Sequence, residues 1–290
     1  MKKLYLLSTE HLEKHLWFKD EEDFIAAMNY VAIEAAHHPE VSVLVFILMS
    51  NHVHFLLKGK EAAVIDFVNR FKQRYSTYYR RKYGVKEFLR RNALDIKLIP
   101  LEDEAAKRAI AYVQMNCVAA NICAYPAQYP WGTGRLFFNS NKPKGMRLGN
   151  LSARARKRML HSEDDQIPAD WKYCDEGYIL PESYVDVEAV ETLFRSPRRM
   201  NYFLANSSKA RKRLERAEDR LPAFRDQTIL AALPDLFRSL YQKESFREMS
   251  EEEKKEFVRQ IRFRFSADTN QIARVCGLAY EETARLLDSV

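Results

Sequence analysis

The sequence predicts an α+β fold in its N-terminal half, followed by a region made only of helices. In the first 137 residues, short runs of β-branched and aromatic residues alternate with longer runs whose apolar residues recur at helical spacing. From about residue 180 onward the periodicity is helical. The 290 residues are 47% hydrophobic, which is enough to form one large core or two ordinary ones.

The first three predicted elements are a strand, a helix and a strand. "KLYLLST" (3–9) alternates in polarity and contains residues that favour strands. The segment 20–38 begins with acidic residues, which favour a helix N-terminus, and then places Phe24 and Met28 at helical spacing. "VSVLVFILMS" (41–50) has the length and the β-branched content of a buried strand.

Two further elements follow a short turn. Ser50 and Asn51 are typical turn residues, and they connect the buried strand to a predicted strand at 52–59. Residues 61–82 predict a long helix that ends near Gly84.

The last two elements of this half are a strand and a helix. Residues 94–101 predict a fourth strand, and Pro100 places it at an edge of the sheet or marks its end. Residues 102–122 predict a helix whose acidic first turn suits the helix dipole. The order β-α-β-β-α-β-α is that of a ferredoxin-like βαββαβ core with one extra helix.

Composition divides the chain into three parts. The N-terminal unit is predicted to span residues 1–137. Residues 138–175 are polar and strongly basic at first, and predict a linker or an exposed arm. Residues 176–290 predict a helical region whose last part, about 250–290, resembles a helix-turn-helix with Gly277 in its turn.

Charge and cysteine content give weaker indications. The formal charge of +7 suggests a polyanionic partner, but 47 basic and 40 acidic residues could equally form an ordinary solvated surface. The four cysteines include no CxxC pair and are typical of reduced thiols. Neither a signal peptide nor an apolar run of about 20 residues is recognisable, so we expect a cytoplasmic protein without a membrane partner.

Two histidines interrupt the apolar strand at 52–59. Because residues two apart in a strand point to the same face, His52 and His54 direct two imidazoles to one side and Val53 to the other. Two such side chains suit a divalent metal ion. A bare His-x-His pair is more often an ordinary core or surface pair, so the pattern alone leaves both interpretations open.

A tyrosine and an asparagine stand four residues apart in the helix at 102–122. Tyr112 and Asn116 therefore share a helix face. An amide oxygen is a reasonable third ligand for Mg²⁺ or Mn²⁺, and a tyrosine beside a bound cation can act as a nucleophile. In a chain with 15 tyrosines, such a pair alone can also be coincidence.

Basic residues surround three tyrosines on and after the helix at 61–82. This pattern suits single-stranded or hairpin DNA, although a solvated basic helix face is the alternative. The predicted DNA-binding residues are Arg70, Lys72, Arg74, Arg80, Arg81, Lys82, Arg90 and Arg91. Tyr75, Tyr78 and Tyr79 are predicted to pack in the core or to stack on bases. Compared with these three, only Tyr112 has an amide four residues further on, which makes it the preferred nucleophile.

Four blocks of this half occur together in one order: "LMSNHVHFLL", "FKQRYSTYYRRKYG", "YVQMN" and "YPWGTG". They resemble the HUH-type single-tyrosine transposases, and most of all the REP-associated tyrosine transposases. The resemblance covers about residues 1–137.

The resemblance implies a metal site, a nucleophile and a substrate. His52, His54 and Asn116 would bind a divalent ion, Mg²⁺ or Mn²⁺. Tyr112 would attack a phosphodiester of single-stranded, hairpin-containing DNA, become joined to the 5′ phosphate and release a 3′ hydroxyl. The protein would act in DNA transposition, or as a domesticated derivative, as a monomer or a homodimer.

The chain departs from the family pattern at three places. Cys117 stands where a proline is usual, the segment around Ala120 lacks a glycine, and "LSTEHLEKH" replaces a block that contains Asn-Arg. None of these changes removes a proposed ligand or the proposed nucleophile. Two alternatives stay open: a catalytically silent hairpin-binding protein of the same fold, and an RNA-binding module, which would leave the histidines and Tyr112 without a role.

Overall fold

The computed structural model describes residues 2–12, 16–86, 88–89, 91–141, 143–164, 166–208 and 224–288. Within these residues the protein combines an antiparallel sheet with helices on both of its faces. A region built mainly of helices follows towards the C-terminus. The predicted mixed fold with a helical C-terminal region is therefore confirmed.

Four strands form the sheet in the order β2-β3-β1-β4, with every neighbouring pair antiparallel. Their bounds are Lys3–Thr9 for β1, Ser42–Met49 for β2, His52–Gly59 for β3 and Leu94–Ile99 for β4. β4 lies at one edge, as the proline that follows it predicted. The predicted turn joins β2 to β3 at residues 50–51.

Two helices cover one face of this sheet. α1 spans Glu21–His37, and the side chain of Asp20 caps it by accepting a hydrogen bond from the backbone of its first turn. α2 spans Glu61–Tyr83 and ends at Gly84, whose φ of +70° is the left-handed conformation that glycine adopts most readily. The Phe55 ring of β3 packs against two phenylalanines of α2, so β3 directs every second side chain towards this layer.

The predicted helix at 102–122 is interrupted. α3 spans Asp103–Gln114, and a single turn, α4, follows at Asn116–Ala119. The side-chain amide of Asn116 donates to the carbonyls of Tyr112 and Val113, which are 2.9 and 3.1 Å away. An asparagine side chain that donates to a helix carbonyl competes with the backbone N–H group that would otherwise donate to that carbonyl. This competition accounts for the break at Met115.

The segment predicted as a linker carries its own local structure. It contains the helix α5, Ala153–Leu160, and a two-stranded pair, β5 at Met146–Arg147 and β6 at Lys172–Tyr173. Its apolar residues, which the basic composition obscured, reach the core that also contains the sheet: Leu148 is completely buried there. The segment is thus folded onto the preceding elements, while the proposed domain boundaries stay a prediction.

A buried asparagine in α1 holds this segment in place. The side-chain nitrogen of Asn29 donates to the carbonyls of Met159 and Gly177 at 3.1 and 3.0 Å. Its side-chain oxygen accepts from the backbone of Ile179 at 2.9 Å. Because Asn29 is fully buried, losing these bonds would leave an unsatisfied amide in the core.

The remaining elements are helices. Their bounds are Val187–Phe194 for α6, Pro197–Ala205 for α7, Asp226–Tyr241 for α8, Glu251–Phe265 for α9, Thr269–Cys276 for α10 and Tyr280–Asp288 for α11. α8 to α11 enclose a second hydrophobic cluster, and Gly277, with a φ of +69°, forms the predicted turn between α10 and α11. Across the described ranges, no helix combines the length and the apolar character needed to cross a membrane.

Candidate functional site

The two histidines of β3 lie side by side on the sheet face that is turned away from α2. His52 and His54 are only 6% and 3% exposed, and their ring centroids are 4.8 Å apart. Val53, between them, is completely buried. The strand therefore places two imidazoles on one face, as its alternation predicted.

Each of these imidazoles has one nitrogen held by a neighbouring side chain. The Nδ1 of His54 lies 2.6 Å from the Oγ of Ser8, and the Nδ1 of His52 lies 2.9 Å from the Oδ1 of Asn51. The amide nitrogen of Asn51 donates to the carbonyl of Leu12, so its oxygen is the atom that faces His52. The Nδ1 of His52 consequently carries the proton, and Nε2 is its basic nitrogen.

A third histidine, which the sequence pattern did not predict, joins this pair. The ring of His11 stacks on that of His52 with the centroids 3.6 Å apart and the planes inclined by 16°. Ligand nitrogens of His11, His52 and His54 all lie within 4.8 Å of one another. In two stacked rings the nitrogen lone pairs lie in parallel planes and do not converge on one ion. The exposed side chain of His11 would therefore have to rotate before it bound the same ion as His52.

Tyr112 approaches the same cluster from α3. Its ring stands perpendicular to that of His54, with 5.8 Å between the centroids. Burial raises the pKa of the Tyr112 phenol, and the negative charge of Asp95 raises it further. In the sheet, Ser8 of β1 is paired with His54 on one side and with Asp95 on the other, which places these three residues in one row.

Asn116 is buried beside Tyr112, but its amide nitrogen points back to the backbone of α3. Since the nitrogen faces two carbonyl oxygens, the assignment of nitrogen and oxygen in this amide is chemically fixed. The structure thus keeps the predicted tyrosine and asparagine together. The role of the asparagine oxygen as a metal ligand stays a prediction.

Four of the predicted DNA-binding side chains have partners within the protein. The partners are the backbone carbonyl of Asn92 for Lys72, Glu34 and Asp164 for Arg74, and Asp20, Glu22 and Asp23 for Lys82. Glu34 and Asp23 are fully buried carboxylates, which require a cationic partner. Arg74 and Lys82 therefore neutralise buried carboxylates, and Arg70 forms a surface pair with Asp66 at 2.8 Å.

Three of the four other predicted basic residues lie within the described part of the chain. Arg80, Arg81 and Arg91 are exposed, whereas Arg90 lies outside the described residues. Tyr75 and its two neighbouring tyrosines of α2 are at most 7% exposed and pack in the core. Of the two interpretations for these tyrosines, core packing is correct and base stacking is wrong, because their rings are covered by other aromatic rings.

Comparison with known proteins supports the resemblance found in the sequence. Residues 12–94 match a family model described as "Transposase IS200 like". The chain is also similar to a solved structure described as "Structure of the REP associates tyrosine transposase bound to a REP hairpin", with 9% identity and a TM-score of 0.37 over 46% of this chain and 77% of that chain. No curated protein matches the chain. The family match confirms the predicted resemblance to these transposases.

Proposed function

We propose that this protein cleaves single-stranded DNA and transfers the strand through a covalent 5′-phosphotyrosine on Tyr112. One observation carries the proposal: the phenol of Tyr112 stands against His54 in the cluster that also contains His52. The match of residues 12–94 to IS200-like transposases supports a role in DNA transposition, in a mobile or a domesticated form.

The topology supports the finer description of the fold. The element order with the strand order β2-β3-β1-β4 corresponds to a ferredoxin-like core, in which α1 and α2 form one layer and α3 is the additional, catalytic helix. We retain residues 1–137 as the proposed catalytic unit and residues 176–290 as the proposed helical region.

The donor set fits a divalent metal ion. His52 and His54 would supply imidazole nitrogens and Asn116 an amide oxygen, while His11 lies close enough to join after a rotation of its ring. This mixed set favours Mn²⁺ over Mg²⁺, because Mg²⁺ prefers oxygen ligands and an octahedral shell of water. When bound, the ion would supply Lewis-acid polarisation of a phosphodiester.

The chain's own residues account for the rest of the chemistry. Ser8 and Asn51 fix the orientation of the two imidazoles. The phenol oxygen of Tyr112 forms a bond to phosphorus while the bond from phosphorus to the 3′ oxygen breaks, and the phenol proton ends on that 3′ oxygen. Burial and the negative charge of Asp95 raise the pKa of Tyr112, which disfavours the phenolate.

The exposed Arg80, Arg81 and Arg91 are the proposed phosphate contacts, together with Arg70. Arg90 belongs to the same proposal on sequence grounds alone. Action on DNA inside the cell agrees with the expected cytoplasmic location, and the proposed assembly is a monomer or a homodimer. The alternative is a catalytically silent protein that binds hairpin DNA through the same surface.

Covalent capture separates these two functions. The full chain is incubated with labelled single-stranded hairpins and Mg²⁺ or Mn²⁺, and the products are separated under denaturing conditions. We expect a metal-dependent protein–DNA band that Tyr112→Phe and His52→Ala abolish. The control Tyr125→Phe, which changes a tyrosine that is 69% exposed, should retain the band. Binding of the hairpins without any covalent product would overturn the proposal in favour of the silent binder.

A further inference from the structure

A polar groove of about 410 Å³ runs along the outer side of α2. Five of its lining residues lie on successive turns of the helix, each three or four residues from another member of the set, which places them in one stripe. They are Asn69, Gln73, Ser76, Thr77 and Arg80. The loop after α2 closes the other side with the ring of Phe88. The volume is comparable to that of a small-molecule site, which suits one nucleotide.

The groove has the chemistry of a site for a nucleotide. Asn69 and Gln73 are exposed amides, and each offers a donor and an acceptor that can pair with the edge of a base. Arg80 is exposed and brings a positive charge, and none of the described lining residues is acidic. Phe88 stacks on Tyr79 with 3.7 Å between the ring centroids, which fixes this aromatic wall.

The loop that closes the groove also reaches the histidine cluster. Lys72, at the base of the groove, donates to the carbonyl of Asn92, and the Asn92 side chain donates to the carbonyl of Glu10 at 2.9 Å. His11 follows directly and stacks on His52. Two hydrogen bonds therefore connect the groove to the residue beside the cluster.

We propose that the groove binds a nucleotide of single-stranded DNA adjacent to the cleavage site. Asn69 and Gln73 would contact its base, and Arg80 would contact a phosphate. This inference rests on the proposed function and adds to it the part of the protein that reads the sequence beside the scissile bond. Base contacts and phosphate contacts have different salt dependences, so they can be measured separately.

The first test measures binding of the full chain to a fluorescein-labelled pool of randomised 20-nucleotide single strands by fluorescence anisotropy. The double variant Asn69→Ala/Gln73→Ala should raise Kd about tenfold at constant salt, because it removes two side chains that contact bases. The slope of log K against log salt concentration should be the same for this variant as for the wild type. Arg80→Ala should reduce that slope by about 0.7, the contribution of one phosphate contact on a single strand. Arg238→Ala removes an exposed arginine of α8 and should alter neither quantity.

The second test detects occupancy of the groove directly. Ser76→Cys places a thiol in the groove, and Ser239→Cys places one on the exposed surface of α8. Alkylation by N-ethylmaleimide is followed by mass spectrometry of the peptide that carries each new cysteine. Saturating oligonucleotide should slow the reaction at position 76 at least about fivefold, as expected when a bound base covers the site. The reaction at position 239 should keep its rate.

The outcomes distinguish this inference from the proposed function. If the wild-type chain binds the pool while the groove variants bind equally well and position 76 is not protected, the groove is not a nucleotide site and the proposed function is unaffected. If the wild-type chain binds no single strand, both proposals are overturned. Weaker binding by the groove variants, together with protection at position 76 alone, supports the inference.

Discussion

Replacing Ser8 by alanine should weaken metal binding without disturbing the fold. The substitution removes the hydroxyl that lies 2.6 Å from the Nδ1 of His54 and leaves the backbone pairing of β1 intact. Loss of a side chain that orients a metal-binding histidine typically costs 10- to 100-fold in affinity. This corresponds to about 1.4 to 2.8 kcal/mol. The expected value lies towards the lower end, because backbone and packing still restrict a ring that is 3% exposed.

Isothermal titration of the full chain with Mn²⁺ measures this effect. The control is Ser239→Ala, which removes an exposed hydroxyl from α8. Thermal unfolding in the presence of a chelator should give the same midpoint for the wild type and for Ser8→Ala, which separates metal binding from stability. A Kd for Ser8→Ala within twofold of the wild-type value would refute the orienting role of this hydroxyl.

Two further predictions concern charged groups near the site and in the core. Arg74→Ala should destabilise the protein by about 3 kcal/mol in urea unfolding, because it leaves the buried carboxylate of Glu34 without its main cation. The double variant Glu34→Gln/Arg74→Ala should recover part of this loss, and equal stability of Arg74→Ala and wild type would contradict the structural role. Asp95→Asn should lower the pKa of Tyr112, since it removes a negative charge that disfavours the phenolate. In the plot of cleavage rate against pH, the transition that reports titration of the phenol should therefore move to lower pH. A lower rate with an unshifted profile would instead indicate that Asp95 accepts the phenol proton.

Much of the fold could be predicted from periodicity. The alternation in β1 and β3 and the glycine after α2 place these elements within one or two residues of their observed bounds. The helix at 102–122 was predicted as continuous because helix propensity does not reveal that the side-chain amide of Asn116 donates to a backbone carbonyl of the helix. The segment 138–175 was predicted as a linker because its basic residues outweigh a few apolar ones, such as Leu148, whose burial depends on distant partners.

The site was predicted in part. His52, His54 and Tyr112 lie together: the two histidines share one face of β3, and α3 packs on that face with Tyr112 directed towards it. His11 was missed because it stands in an irregular segment, although antiparallel pairing of β1 with β3 could have indicated it: the residues after β1 must lie beside the start of β3. The DNA-binding role of Lys72 stays a prediction, since a basic side chain on a helix looks the same in the sequence whether it faces DNA or donates to a backbone carbonyl, as Lys72 does to Asn92.

Covalent attachment of Tyr112 to DNA would be established most directly by peptide mapping of the adduct. The full chain is incubated with Mn²⁺ and a cleavable hairpin, the product is digested with nuclease and protease, and the modified peptide is sequenced by tandem mass spectrometry. We expect a nucleotide attached through its 5′ phosphate to Tyr112, together with a free 3′ hydroxyl on the released strand. A nucleotide attached to a different residue, or a cleaved strand without any protein adduct, would contradict this expectation.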